Sequence, residues 1–300
     1  MRKNHISVCI CTFKRAALLR LLLDHLETQK TDGRFTFSAV VADNDSEGSA
    51  RAVVDSFRRE AKTEVVYCLQ PVPKNIAMTR NVAVANADGE FIAFIDDDEY
   101  PEDNWLVNLF NTCVTTESVA GVLGPVRPYF ESEPPKWASK GRFFERAEFP
   151  TGYKLNFDQA RSGNVLFRAE ILKSLEIPFR EHFNTAGEDV DFFRRLMANG
   201  YTFVWCNEAV ALEIVPASRC TRRYLLRRAL LRGSNFSKHP TQRIKNGLKS
   251  LIAAPCYAIS LPVLLLFGQH VFLKYLIKFL DHFSRLMSYA GVPLVKERHT

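Results

Sequence analysis

The sequence predicts an α/β fold, a mostly parallel sheet flanked by helices and continued by a basic and hydrophobic helical extension. Three observations predict it. Short β-rich apolar runs alternate with segments of helical period; polar clusters recur where those runs end; and composition shifts after Pro216 to an arginine-rich and then apolar tail. A chain of 300 residues with 47% hydrophobic content buries a sizeable core, which excludes a disordered or fibrous protein.

The first run, Ile6-Ser-Val-Cys-Ile-Cys-Thr-Phe13, has no helical period and reads as a strand; Ala16 to Gln29, with leucines at helical spacing, follows as a helix. Strands at Phe37 to Ala42, Glu64 to Leu69 and Phe91 to Ile95 then alternate with helices at Ser49 to Ala61 and Ile76 to Ala87. Such alternation implies right-handed crossovers and helices on both faces of the sheet. Leu106 to Thr116 reads as the next helix and Val119 to Val126 as a further strand. Pro128, Pro134, Pro135 and Pro150 bound an irregular aromatic stretch expected to form a long surface loop. Asn164 to Phe167 resumes as a strand, with a short helix near Glu170. Glu188 to Asn199 is a helix ended by Gly200, and Tyr201 to Cys206 and Ala209 to Val215 are closing strands. A boundary at residue 218 is expected to divide an α/β domain, 1–218, from an extension, 219–300.

Seven cysteines, an odd number without a CxxC pair, sit mostly in apolar runs, so neither a disulfide framework nor a zinc site is expected and a reducing compartment fits. The apolar run from Ile6 is short and cut by Lys14 and Arg15, which suits a first strand and not a signal peptide. A net charge of +7 invites a nucleic-acid reading, but its distribution argues otherwise. Residues 1–218 hold 25 basic and 31 acidic side chains, 219–249 hold 10 and none, and 250–300 hold 5 and 2. The first two thirds would repel a phosphate backbone. Leu225, Leu226, Leu230 and Leu231 give the arginine segment an apolar face, as a packed or membrane helix needs. No nucleic-acid partner is expected.

The strongest local feature is Phe91-Ile-Ala-Phe-Ile-Asp-Asp-Asp-Glu99, three consecutive aspartates at the carboxyl end of a buried strand, where α/β sheets bind ligands. Two readings of the run stand. Adjacent carboxylates repel unless a hard cation sits among them, and two carboxylates with phosphate oxygens suit Mg²⁺ or Mn²⁺. Alternatively, Glu99, Glu102 and Asp103 oppose the dipole of the helix that follows Pro101. Other strand ends supply context. Thr12, Phe13, Lys14 and Arg15 follow the first strand and Asp43-Asn-Asp-Ser46 the second, while Lys74 and Arg80 flank the start of the third crossover helix as cations suited to a diphosphate. Each alone is ordinary turn or helix-surface chemistry; together they surround one crevice. GxxxxGK[ST], GxGxxG, HExxH and GxSxG patterns are absent.

In the order and spacing of five motifs the sequence resembles the family 2 glycosyltransferases, and among them the bacterial succinoglycan-type exopolysaccharide transferases. The motifs are Ser7-Val-Cys-Ile-Cys-Thr-Phe13, Asp43-Asn-Asp-Ser46, Arg80-Asn81, Phe94-Ile-Asp-Asp-Asp98 and Gly187-Glu-Asp189, and the resemblance covers residues 6 to about 215. It implies a GT-A (Rossmann-like) fold with a nucleotide-sugar half over about 1–127 and an acceptor side over about 128–218. It also implies inverting transfer from a nucleotide diphosphate sugar, a UDP-hexose by family preference, to a saccharide or polyprenyl-diphosphate-linked saccharide in cell-surface polysaccharide synthesis. On that reading Thr12 and Phe13 wall the nucleotide, Asp43 contacts the uracil, Arg15 and Asp45 belong to the same binding set, and Arg80 faces the diphosphate. Asp98 is the direct metal ligand with Asp96, and Asp96 or Asp97 lies closer to the ribose. Asp189 matches the family's catalytic base, a carboxylate separate from the metal pair that takes the acceptor's proton. Glu188, Gly163 and Asn164 fall on the acceptor side. Read from the residues alone, Glu188 and Asp189 also suit an acidic helix start, and Ser162-Gly-Asn164 a plain turn. Lys14 stands where the family often has Asn, and Asn44-Asp45 replaces the more usual Asp-Gly.

Leu251 to Leu273 contains no Asp, Glu, Lys or Arg and is long enough to span a bilayer, although Gln269 and His270 interrupt it and Pro255 and Pro262 would bend a helix. Val271 to Tyr289 alternates apolar residues with Lys274, Lys278, Asp281 and Arg285, as an interfacial helix does. With ten basic residues just before it, this tail is expected at the cytoplasmic face of the inner membrane, as a peripheral, monotopic or single-pass attachment. Burial against the α/β domain or a second subunit is the alternative. Two rival functions share the fold: a sugar nucleotidyltransferase, for which the Gly-rich loop after the first strand is lacking, and a catalytically inactive nucleotide-sugar-binding module.

Overall fold

The computed structural model describes residues 2–70, 74–183, 187–236, 243–292 and 294–295. Two compact units form, one of Met1–Pro128 with Arg146–Ile214 and one of Tyr129–Glu145 with Val215–Thr300. In the first, β1 (Arg2–Thr12), α1 (Ala16–Glu27), β2 (Thr36–Asp43), α2 (Arg51–Glu60), β3 (Glu64–Leu69), α3 (Ile76–Ala85) and β4 (Gly89–Phe94) follow one another in the expected alternation. Along the chain then come β5 (Glu99–Pro101), α4 (Trp105–Thr115), β6 (Val119–Leu123), β7 (Val126–Phe130), α5 (Lys136–Gly141), which belongs to the second unit, β8 (Val165–Arg168), α6 (Glu188–Ala198), β9 (Thr202–Trp205) and β10 (Ala211–Val215).

The main sheet has the order β3-β2-β1-β4-β8-β6-β9. All its neighbours are parallel except β8, which runs antiparallel to β4 and to β6. Alternation along β1 explains the layers: Ile6, Val8 and Ile10 face a core closed by Leu19, Leu22 and Leu26 of α1, Phe57 of α2 and Trp105 of α4. Cys9 faces the opposite core, closed by Ala77 and Ala83 of α3 and Phe192, Phe193 and Leu196 of α6. The chain enters the sheet at its middle and reverses strand order between β1 and β4, so the carboxyl ends of these two strands open a crevice at the switch point.

Three elements differ from the expectation. The strand expected over Val119 to Val126 is two strands, because Gly124 passes so close to Ala209 that a Cβ would sit 2.1 Å from its carbonyl oxygen, and Pro125 cannot continue the ladder. The stretch expected as a surface loop contains α5 and buries Ala138 and Phe144, its aromatic residues supplying the apolar contacts. The apolar tail is not continuous: α8 (Arg243–Leu264) ends in a 3-10 turn, and Gly268 at φ 107° starts α9 (Gln269–Tyr289). An arginine-rich α7 (Arg222–Phe236) precedes them, and α9 packs against α5, α7 and α8. Gly233 permits the α7–α9 approach, since a Cβ there would lie 2.3 Å from the Asp281 carbonyl oxygen. Residues 237–242 of the basic segment lie outside the described residues.

Candidate active site

Parallel pairing sets Thr12 opposite Asp43, bringing the first two strand-end motifs side by side. Asp43 is fully buried, and its carboxylate organises the turn: it accepts from the backbone N–H of Asp45 (3.0 Å) and Ala50 (2.8 Å) and from the Tyr67 hydroxyl (3.1 Å). Burial first, and then Asp43, push the Tyr67 hydroxyl up to about 12. Asn44 and Asp45 are buried beside it, and Asn44 accepts from the backbone of Asn75, the N-cap of α3. Phe13 stands half-buried at the rim, with the Lys74 ammonium 3.4 Å from its ring centroid. Lys14, left-handed at φ 54°, lies 3.9 Å from Asp45.

The acidic run meets these groups from the end of β4. Thr12 donates to Asp97 (2.8 Å), and Arg15 Nη1 bridges Asp97 (2.7 Å) and Asp98 (3.2 Å). Asp97 is buried, and desolvation raises its pKa against the opposing pull of Arg15 and Thr12. Asp96 is the open member, its side chain 44% exposed and 3.6 Å from Arg80 Nη2. Loss of hydration beneath the strand ends raises its pKa, with Asp98 adding to the effect and Arg80 opposing it. The residue that follows the three aspartates is not a helix-dipole acid: Glu99 lies buried in β5, which pairs antiparallel with β10. Its pKa is raised well above the usual range by burial and by Asp96, its Oε1 accepts no hydrogen bond, and Arg146 stands 3.7 Å away. Arg146 also holds Glu213 at 2.6 Å.

Arg80, on α3, is buried and joins the acidic run to α6 by pairing with both Asp96 and Glu188. Glu188 is buried too, and its Oε2 accepts no hydrogen bond. Asp189, half-buried in the first turn of the same helix, accepts from the N–H of Val190 (2.7 Å). Asp191, another acid of that turn, is held by Arg194 (2.8 Å), Arg195 (2.8 Å) and Arg180 (3.6 Å), and is thereby taken up in the fold. Gly163 lies under the acidic run, where a Cβ would sit 3.0 Å from both Asp96 Oδ2 and Glu99 Oε1. Asn164 is enclosed beneath it: at φ 55° it accepts from Trp105 Nε1 (2.6 Å) and donates to the carbonyls of Pro125 and Ala209 (each 2.8 Å).

The structure thus brings Thr12, Arg15, Arg80, Asp96, Asp97, Asp98, Gly163 and Glu188 into one linked set, with Asp43 and Asn164 supporting it from inside. Sequence reasoning passed over Arg146 and the burial of Glu99; their pairing spans 47 positions, and only the adjacency of Glu99 to the aspartates hinted at it. Among the described residues no group of three or more His, Cys, Asp or Glu forms a complete metal site. Asp96 and Asp98 nevertheless offer two crowded carboxylates, and a divalent cation needs only one or two when substrate phosphates supply the rest.

A doubly wound sheet with an acidic run and a buried arginine at its switch point defines a glycosyltransferase of the GT-A type. The chain belongs to glycosyl transferase family 2, whose model matches residues 7–175. It is 33% identical over 240 residues to the succinoglycan biosynthesis protein ExoM of Rhizobium meliloti, covering 78% of this chain and 74% of that one. It is 28% identical over 247 residues to the chondroitin synthase of Pasteurella multocida, covering 71% of this chain and 25% of that one. Among solved structures, S. aureus TarS 1-349 in complex with UDP-GlcNAc superposes with a TM-score of 0.54 at 17% identity over 96% of this chain and 92% of that one. The corresponding complex with UDP gives 0.53 at 18% identity, over 95% and 91%.

Proposed function

We propose that this protein transfers a hexose from a UDP-sugar, with inversion at the anomeric carbon, to a saccharide carried on a polyprenyl diphosphate at the cytoplasmic membrane face, in exopolysaccharide synthesis. The observation that carries the reading is the linked set at the switch point, in which Thr12, Arg15 and Arg80 converge on three aspartates. Similarity to ExoM supports the polysaccharide context, and the UDP and UDP-GlcNAc complexes of TarS support the donor class.

On this reading Phe13 and Thr12 wall the nucleotide, and Asp43 and Asp45 shape the turn that receives the uracil. Arg80, with Lys74 and Arg15, balances the charge of the diphosphate. Asp189 takes the proton of the acceptor hydroxyl as that oxygen attacks the anomeric carbon; the bond to the diphosphate oxygen breaks with its electron pair, and UDP leaves. Glu188 holds Arg80 toward Asp96, and Asn164 holds Gly163 beneath the acids. Asp98 and Asp96 are suited to hold Mg²⁺ or Mn²⁺, which when bound stabilises negative charge on the diphosphate.

A screen of UDP-sugars with Mg²⁺ or Mn²⁺ and membrane lipid extract as acceptor tests the reading. Turnover of one donor, lost on chelation, is expected; folded protein inert toward every donor would leave the inactive binding module as the function.

A further inference from the structure

α8 exposes one continuous apolar stripe. Ile244, Leu248, Leu251, Ile252 and Ile259 recur at the spacing that puts them on one side of a helix, with Ile244 and Ile259 81% and 78% exposed, and Leu266 of the following 3-10 turn is 84% exposed. Only 11% of the most apolar 18-residue stretch within Gly247–Phe267 is buried, so α8 is not a core helix. Its other side seats on α9. Ser250 Oγ lies 2.9 Å from His282 Nδ1, and the Tyr257 ring lies 5.8 Å from Tyr275, so the two helices run antiparallel. α9 carries Lys274, Lys278, Asp281 and Arg285 along that shared length. In the same unit α7 presents exposed Arg222, Arg223, Arg228 and Arg232, the last bonded to Asp281 at 3.0 Å.

We propose that α8 lies in the plane of an anionic lipid bilayer, its apolar stripe at the acyl-chain boundary and the basic side chains of its unit among the phosphate headgroups. This rests on the membrane-surface part of the proposed function and gives it a docking element. Charge complementarity selects the occupant: residues 219–249 hold ten basic side chains and no acidic one, which suits an anionic surface. The pairing with α9 selects the orientation. A spanning α8 would hold the charges of α9 at the same depth in hydrocarbon, where ionised side chains are strongly disfavoured. An in-plane α8 buries its stripe and leaves the exposed Lys274 and Lys278 in the headgroup layer, while Asp281 and Arg285 stay packed within the unit.

Flotation of the full chain with vesicles of phosphatidylglycerol and phosphatidylethanolamine, compared with phosphatidylcholine alone, tests docking. Binding to the anionic vesicles is expected, weakened by salt, and Leu251→Asp and Ile259→Asp should each lower the bound fraction about tenfold. Both positions are exposed, so circular dichroism should be unchanged. Orientation is read by a membrane-impermeant amine reagent added outside sealed vesicles carrying the protein: Lys249 and Lys274, both exposed, should be modified together. Modification of one and protection of the other would overturn the in-plane arrangement. Failure to float, or a soluble dimer dissociated by Ile259→Asp, would overturn docking. UDP-sugar turnover on a soluble acceptor, assayed in parallel, separates the two readings: lost docking with intact turnover refutes only this inference, and lost turnover with intact docking refutes only the transferase role.

Discussion

Gly163 sits where any side chain would press into the acidic run, its missing Cβ 3.0 Å from one oxygen each of Asp96 and Glu99. Gly163→Ala should therefore shift Asp96 and cut metal-dependent turnover about 10- to 100-fold, while the melting temperature stays close to wild type. Steady-state assays across a Mn²⁺ titration, with thermal melts alongside, check this; unchanged turnover would remove Gly163 from the site. The residues at strand ends were legible because a parallel sheet gathers its loops at one edge, so motifs far apart in sequence meet there. What Asp43 and Asn164 do was not legible. Their side chains look like contact groups in a list of motifs, yet both are taken up by backbone and side-chain partners inside the fold, a fact decided by where Ala50, Tyr67, Trp105, Pro125 and Ala209 come to rest.

α6 carries its acids in the first turn, where the helix dipole favours them, and divides their labour. Asp191 is turned inward; burial alone would raise its pKa, but hydrogen bonds from Arg194 and Arg195 hold it below its ordinary 3.8. A depressed folded pKa contributes stability that is present above the unfolded value and is lost as pH falls through the folded one. Asp191→Asn should thus cost about 2 kcal/mol at neutral pH, less than a fully buried pair because Arg194 and Arg180 reach solvent, and the gap to wild type should close only well below pH 3.8, once the folded-state carboxylate is protonated. Urea unfolding at both pH values measures it; a gap that persists in acid would assign the loss to packing. Long periodic elements such as α1 and the α6 helix were readable from spacing alone. β5 has three residues and α5 six, too few for any period to declare itself, and the break at Gly268 depends on one left-handed residue inside an apolar run.

Across the whole molecule, the charge of +7 resolves into an acidic first part and a basic tail, and that partition was readable by counting. The grouping of residues was less so. Tyr129–Glu145 clusters with Val215–Thr300 across some seventy intervening positions, through apolar contacts that involve Phe144, Val215, Leu225 and Leu273. No local composition marks that association, because it rests on surface shared between distant segments. The central claim, that a UDP-sugar is bound at the acidic run and attacked with help from Asp189, is tested most directly by Asp189→Asn, assayed for both turnover and UDP affinity. Transfer should fall by about a thousandfold or more while the UDP dissociation constant changes less than about twofold. Retained turnover, or loss of UDP binding in step with turnover, would contradict the assignment.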